Sequence, residues 1–555
     1  MATVTLPMRL SPVPRTFSPS SGAACRAVRR SLRVLTPFVL TPFVLAAQTT
    51  PAVGPATGVP LGADAVEQRA MGTADGVRVV ASFDGLGARF VGPHGRVALR
   101  NPSDNSLAVG RRHIVQTVNS QLAVFSRTGT PLYGPLPTNS VFRGFGGPCE
   151  DILSGDAVVR YDQLADRWLL VLPIFRRARP HTAPHGPRRA PLPRPAERRD
   201  TVPRPAPPRP EAEPADGQYA MCYAVSATSD PLGAWYRYAF TRPLFPDYPR
   251  PAVWPDGYYV PTSTGDEVIE KHLCVAERPR MLRGEEAREL CRIVPGVNFL
   301  NTADLDGRTL PPRGASNLVL AAGGAQLQGV TDASELQLWR FHVNWTDTTR
   351  TMLVGPERMA VVPYRYLCGG QLTNCVPQPS TERRLDAQGD KLMARVVYRQ
   401  FASGGRIVAA HSVNTANGAG GVRWYELAVA HNGAVTLAQQ GTYAPDSATR
   451  WMPSAAMDRF GNIGMGYSFG SATHFPGQRF AARTPRDAPG TLGLREAVLV
   501  HGEAAQTTTL RWQDYTQTAV DPIDDCTIWY VGDYLKAGDS AYSTRIGAFR
   551  LPGCR

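Results

Sequence analysis

The chain has 555 residues, with 60 Lys+Arg against 46 Asp+Glu and a formal charge of +14. That length allows roughly two to four ordinary domains or one large repeat architecture. A hydrophobic content of 43% excludes a disordered chain, and the abundant Gly and Pro follow no strict period, which excludes a collagen-like one.

Residues 1–47 hold six arginines and no acid, then the apolar repeat Val34-Leu35-Thr36-Pro37-Phe38 and Val39 to Phe43, and end in Ala46-Ala47. A basic stretch, a short apolar run and small residues read as a signal peptide. An Arg-rich organelle transit peptide is the competing reading. The apolar run is interrupted by two prolines and is too short for a membrane span, and no later segment reaches the ~18 unbroken apolar residues that a span needs. Residues 48–75 then read as a linker and 76–555 as one folded unit.

Helical periodicity is scarce, and Asp64–Met71 and Glu285–Ile293 are the main helix candidates. Elsewhere short apolar or alternating runs are broken by Gly, Pro, Asp and Asn, an all-β signature. Examples are Ile114–Val118, Leu122–Phe125, Leu336–Val343, Val422–Val429 and Arg545–Leu551. One unit recurs: an apolar strand, an Asp, a short turn, then a second apolar or aromatic strand. It occurs at 157–171, 251–260, 383–398, 454–467 and 517–530, with a shorter relative at 105–118. The anchors are Asp162, Trp254, Asp386, Asp458 and Asp521. The Asp side chain offers acceptors to the turn backbone.

Those anchors are 92, 132, 72 and 63 residues apart. The first gap contains residues 176–217, an island with twelve prolines, ten arginines and hardly any large apolar side chain. Such a segment cannot bury a core and is expected as a disordered, extended loop inserted in one sheet. Without it the first gap falls to 50, and the 132-residue gap fits two units. A spacing of about 60 residues with two visible hairpin strands suits a four-stranded propeller blade. The fold class expected is therefore all-β, a single β-propeller of seven or eight four-stranded blades.

The strings SDNSLAVG, YDQLADRWLL, CYAVSATSDPLGAWYRY, DYPRPAVWPDGYYV, RWMPSAAMDRFGNIGMGYS and RWQDYTQTAVDPIDDCTIWY resemble a group of exported bacterial β-propeller proteins near the sialidase-like and WD40/YVTN-like propellers. The resemblance covers roughly residues 80–550. It implies a secreted propeller and brings no catalytic residues with it. SATSDPLGAW also resembles a degenerate sialidase Asp-box, which is a hairpin-turn motif and bears on the fold alone.

Eight cysteines follow the leader: Cys149, Cys222, Cys274, Cys291, Cys368, Cys375, Cys526 and Cys554. An even number in an exported chain suits disulfides. Cys274–Cys291 and Cys368–Cys375 are the candidate local loops, and the other connections stay open. No C-x-x-C, no H-E-x-x-H and no G-x-x-x-x-G-K-[ST] occurs, so those metal, redox and phosphate motifs are absent. Gly466–Gly470 matches the nucleophile elbow G-x-S-x-G around Ser468, but Pro476 and a non-helical run follow it where that elbow needs a helix. No cofactor is identified beyond a structural Ca2+ that Asp521, Asp524 and Asp525 are candidates to hold.

A propeller brings the residues just before each inner strand to one end of the central channel. By that argument the candidate ligand site comprises Asp247, Tyr248 and Arg250, Arg450 and Trp451, and Arg511, Trp512, Asp514 and Tyr515. Arginine, aromatic and carboxylate groups facing one axis suit a polar ligand; the competing role is bracing between blades. No catalytic residue can be assigned.

The function expected is a secreted or periplasmic monomer that binds an extracellular glycan, polymer or protein without catalysis. A propeller-type glycoside hydrolase or lyase is the alternative, and a cell-surface structural module a third. The charge does not argue for nucleic acid: the leader carries +6 and the Pro/Arg-rich loop +5, leaving +3 elsewhere.

Overall fold

The structure is a computed structural model that describes residues 63–178, 190–191, 218–263, 270–324, 326–327, 329–370 and 374–555, all within the unit Val59–Arg555. The expected signal peptide and most of the 176–217 loop lie outside the described residues. No helix among the described residues is long and apolar enough to cross a membrane.

Short apolar strands joined by tight turns build four-stranded antiparallel units. Their innermost strands are Ser106–Val109, Val158–Asp162, Ala252–Val253, Asn301–Asp306, Val396–Phe401, Thr449–Met457 and Gln517–Val520, which define blades 1 to 7. Each innermost strand packs on the next, and that of blade 7 returns to that of blade 1. The ring so closed is a β-propeller. Between blades 4 and 5 the inner strands also pair directly and in parallel, from Ala303↔Val396 to Asp306↔Arg399.

Blade 7 takes only three strands from the C-terminal part of the chain. Its outermost strand is Arg78–Asp84, antiparallel to Ser543–Arg550. Residues before it lie along the ring as well. Glu67–Gln68 adds a parallel strand to Val435–Tyr443 of blade 5, and Ala74 bridges Leu494 beside blade 6. Part of the expected linker is thus a strap across three blades.

The apolar clusters sit between neighbouring blades. Trp168 and Leu170 meet Ala108 and Val115 between blades 1 and 2. Met457 and Met465 meet Val408 and Trp424 between blades 5 and 6. The recurring Asp fixes both turn and neighbour. Asp162 accepts the Leu164 and Ala165 N–H groups at 3.1 and 3.2 Å through Oδ1, while its Oδ2 accepts Tyr258 Oη at 2.8 Å and Arg278 Nε at 2.6 Å from blade 3. Asp458 accepts the Phe460 and Asn462 N–H groups, and Asp521 accepts that of Ile523.

Three expectations are corrected. Glu289–Val294 is the outer strand of blade 3, not helix: it pairs with Lys271–Ala276, and the Cys274–Cys291 disulfide bridges opposed residues of the two strands. Ala63–Val66 forms one 3₁₀ turn and the strand Glu67–Gln68 follows, so no helix spans Asp64–Met71. Asp386 closes a small hairpin, Asn374–Gln378 with Thr381–Asp386, that precedes blade 5; it does not follow an inner strand.

All eight cysteines pair, as Cys149–Cys222, Cys274–Cys291, Cys368–Cys375 and Cys526–Cys554. In blade 2, Arg167–Ala178 pairs with Gln218–Ser226 up to Ala178↔Gln218. The Pro/Arg-rich loop therefore leaves and re-joins one sheet at adjacent positions, and its Ala190–Pro191 pairs with Ala234–Trp235.

Candidate functional site

The segments that lead into the inner strands converge at one end of the channel around a cavity of about 190 Å³. Blades 1 and 2 contribute Asp104 and Asp156, blade 3 contributes Asp247 and Tyr248, and blade 4 contributes Phe299. Gln388 and Lys391 come from the approach to blade 5, Arg511 and Asp514 from that to blade 7. Asp104, Asp156, Tyr248, Gln388 and Asp514 all have left-handed backbone, with φ of 47°, 58°, 51°, 45° and 66°. Asp tolerates this region, whereas Tyr and Gln do so at a cost of about 1 kcal/mol or more each. Strain repeated around one cavity marks a place where side-chain aim outweighs backbone comfort.

The polar groups divide into two sets. Lys391 Nζ lies 2.5 Å from Asp390 Oδ1, donates to Gln388 Oε1, and sits over the Phe299 ring at 4.3 Å and the Tyr248 ring at 5.0 Å. Arg511 pairs with Asp514 and lies 3.3 Å from Asp386. Gln388 Nε2 donates to Asp514 Oδ1 at 2.9 Å and to Asp386 Oδ2 at 3.1 Å. These groups are matched.

Asp104, Asp156 and Asp247 are not. Asp156 accepts Tyr515 Oη at 2.7 Å, and Asp247 accepts the Tyr248 N–H at 2.9 Å. Asp104 Oδ2 takes the Asp156 N–H at 3.3 Å, while its buried Oδ1 has no hydrogen-bond partner among the described residues. Burial first, and the Asp156 charge next, push the Asp104 carboxyl well above the usual range. Burial and then the Asp247 charge raise Asp156 to about 8. Burial and then Asp514 raise Asp247 to about 6. Clustered perturbed carboxyls in a concave site are a functional-site signal.

Further along the axis the channel is plugged. Arg395 bonds Asp304 at 2.6 Å, Asp306 at 2.5 Å and the Thr518 carbonyl of blade 7 at 3.1 Å, and Arg160 lies 3.3 Å from Asp304. The space left there is about 20 Å³. The mouth is a bowl with a floor.

Of the residues expected at the mouth, Asp247, Tyr248, Arg511 and Asp514 line the cavity. Tyr515 lies behind it, stacked on Tyr248 with ring centroids 4.2 Å apart. Arg250 is buried beneath, donating to the Leu300 carbonyl at 2.7 Å and the Tyr248 carbonyl at 2.9 Å. The structure does not bring Arg450, Trp451 or Trp512 there. The inner strand of blade 6 already begins at Thr449, so Arg450 and Trp451 lie inside the ladder, opposite Phe469 and Ser468. Arg450 is held by Glu496 at 2.8 Å and Asp446 at 2.7 Å. Trp451 and Trp512 share an apolar cluster with Met452 and Leu367. Asp104, Asp156, Phe299, Gln388 and Lys391 went unread in the sequence. The available signal for Asp104 and Asp156 is a lone Asp two residues before an inner strand, in SDNSLAV and SGDAVVRY.

Ser468 lies in a strand–turn–strand, Ile463–Ser471 to His474–Arg483, and its Oγ accepts Trp512 Nε1 at 3.0 Å and Gln513 Nε2 at 2.8 Å. That is a structural serine, with no helix after it. The acids proposed for Ca2+ diverge: Asp521 accepts Trp529 Nε1 at 3.0 Å, Asp524 accepts the Thr527 N–H at 2.8 Å, and Asp525 pairs with Arg399.

No protein-family model matches the chain, and no curated protein matches it. Among solved structures, a protein of unknown function from Dyadobacter fermentans aligns with a TM-score of 0.38 and 11% identity over 86% of this chain and 100% of its own. The WD40 domain of SCAP from fission yeast aligns with a TM-score of 0.33 and 11% identity over 81% of this chain and 96% of its own. The propeller assignment stands on the ring of sheets itself.

Proposed function

We propose that this protein is a secreted or periplasmic β-propeller that binds an extracellular glycan in the bowl at the channel mouth. The observation that carries the reading is the bowl: a floored cavity of about 190 Å³ where six inner-strand approaches converge. It offers both donors and acceptors, which suits a ligand rich in hydroxyl groups. Export is supported by the basic leader and by four disulfides that use every cysteine after it. A glycan array on the purified protein, with soluble products assayed in parallel, tests this. Binding without product, lost on Arg511→Ala, is the expected result; protein or polymer ligands that bind away from the bowl overturn it.

One observation favours a second reading, a glycoside hydrolase. Asp156, raised to about 8, keeps a proton at neutral pH, while Asp247, raised to about 6, is largely ionised. An acid and a base set apart by environment are what glycoside hydrolysis uses. Product release in the same assay, abolished by Asp156→Asn, would establish it and sink the first.

A further inference from the structure

The unmatched acids of the bowl set its ligand class more narrowly. Resting on the reading above, we propose that the bowl selects an amino sugar, a terminal pyranose whose free ammonium and neighbouring hydroxyl groups are shared among Asp104, Asp156 and Asp247.

Charge comes first. The cavity wall holds four carboxyls, Asp104, Asp156, Asp247 and Asp514, against Lys391 and Arg511. Both cations already have partners, Lys391 with Asp390 and Arg511 with Asp514 and Asp386. Among the described residues no cation pairs with the other three acids. Asp104 is only 2% exposed, lines the cavity, and has one carboxylate oxygen without a donor. A buried acceptor left open in this way is costly unless something fills it. A cationic donor fills it in the complex.

A metal ion is the wrong filler. Among the described residues, the trios whose ligand atoms come within 4.8 Å of one another lie elsewhere, at Cys274/Glu289/Cys291 and Asp524/Cys526/Cys554, and those cysteines are in disulfides. The acids of the bowl are spread more widely than a Ca2+ shell. Donors spread over a ring, an ammonium beside hydroxyl groups, match that spread. A lysine or arginine side chain supplies donors only. It offers nothing to the amide of Asn119 or the hydroxyl of Ser263, which also line the cavity and which sugar hydroxyl groups match in both directions. The volume is below the ~300 Å³ at which pockets take drug-sized ligands, and one sugar ring is the matching scale.

The test is calorimetric titration of the purified protein with glucosamine oligomers and with their N-acetylated counterparts, which keep the hydroxyls and lose the charge. Tighter binding of the glucosamine oligomer by tenfold or more is expected, with that preference abolished by Asp104→Asn and by Asp247→Asn. Thermal melts confirm that each variant is folded; Asp247 is the less buried, so it serves if Asp104→Asn does not fold. Equal or tighter binding of the N-acetylated form overturns the inference while leaving the glycan reading intact. Tighter binding of a lysine or arginine peptide, or of Ca2+ alone, at an Asp104-dependent site also overturns it. Failure of every glycan sinks this inference and the proposed function together.

Discussion

On the ring axis Arg160 and Arg395 meet Asp304 and Asp306 at 2.5 to 3.3 Å, and every one of the four is buried. At the mouth, Asp104, Asp156 and Asp247 line one cavity, and among the described residues none of them forms an ion pair. Both groups contain clustered carboxyls, and both lie at the meeting point of several blades. The difference is in what completes them. The inner group is completed by the chain's own arginines and ties blades 2, 4, 5 and 7 together. The outer group is left open, and the backbone around it is held left-handed. Matched charge on the axis is scaffold; the acids at the mouth have no such pairing among the described residues.

That contrast can be broken by substitution. Arg395→Ala removes the cation from two buried carboxylates and is expected to cost about 3–5 kcal/mol, read as a lower urea midpoint. Arg450→Ala removes one of two arginines from Glu496 within blade 6, Arg479 remaining at 2.6 Å, and is expected to cost about 1.5–3 kcal/mol, with glycan binding unchanged in the molecules that remain folded.

The open acids should behave in the opposite sense. Their folded-state values lie above the unfolded value, so their contribution is present below that value and is lost as pH rises through the folded one. Asp156, raised from 3.8 to about 8, therefore makes the fold less stable as pH climbs from about 4 to about 8, and Asp533, raised to about 8 by its burial, adds to the same slope. Asp156→Asn is expected to flatten that slope by about 1–3 kcal/mol, seen as a smaller loss of urea midpoint between pH 5 and pH 9. Arg511→Ala sits at the boundary between the two behaviours. Its side chain is 39% exposed, so a stability change of about 1 kcal/mol or less is expected, and the loss should appear in ligand affinity instead.

The blades were legible wherever a tight Asp turn followed the inner strand, as at Asp162, Asp458 and Asp521. Blade 4 was hidden because ten residues, 307–316, separate Asn301–Asp306 from Asn317–Ala322, which no short-turn pattern matches. Blade 5 turns through Phe401 and Gly404 without an Asp, and the nearby Asp386 drew the repeat to the wrong place. Asp386 belongs instead to the wall behind the mouth, against Arg511 and Gln388. The site was half legible for a related reason. The argument from strand approaches reaches Asp247, Tyr248, Arg511 and Asp514. It cannot rank Asp104 and Asp156, whose importance lies in burial and in having no ion pair among the described residues, neither of which a linear sequence displays. Arg450 looks the same on paper as Arg511; the register of one strand start separates them.

The outermost strand of blade 7, Arg78–Asp84, is made early and finds its partner, Ser543–Arg550, only when nearly the whole chain has been synthesised. Between completion of that last hairpin and its docking on the early strand, its edge presents free backbone donors and acceptors. A second copy of residues 78–84 would satisfy it equally well. Nascent chains crowded together are therefore exposed to exchanging this one strand, and the strap through Glu67–Gln68 and Ala74, which keeps the early strand beside its own ring, is the feature that would oppose such swapping.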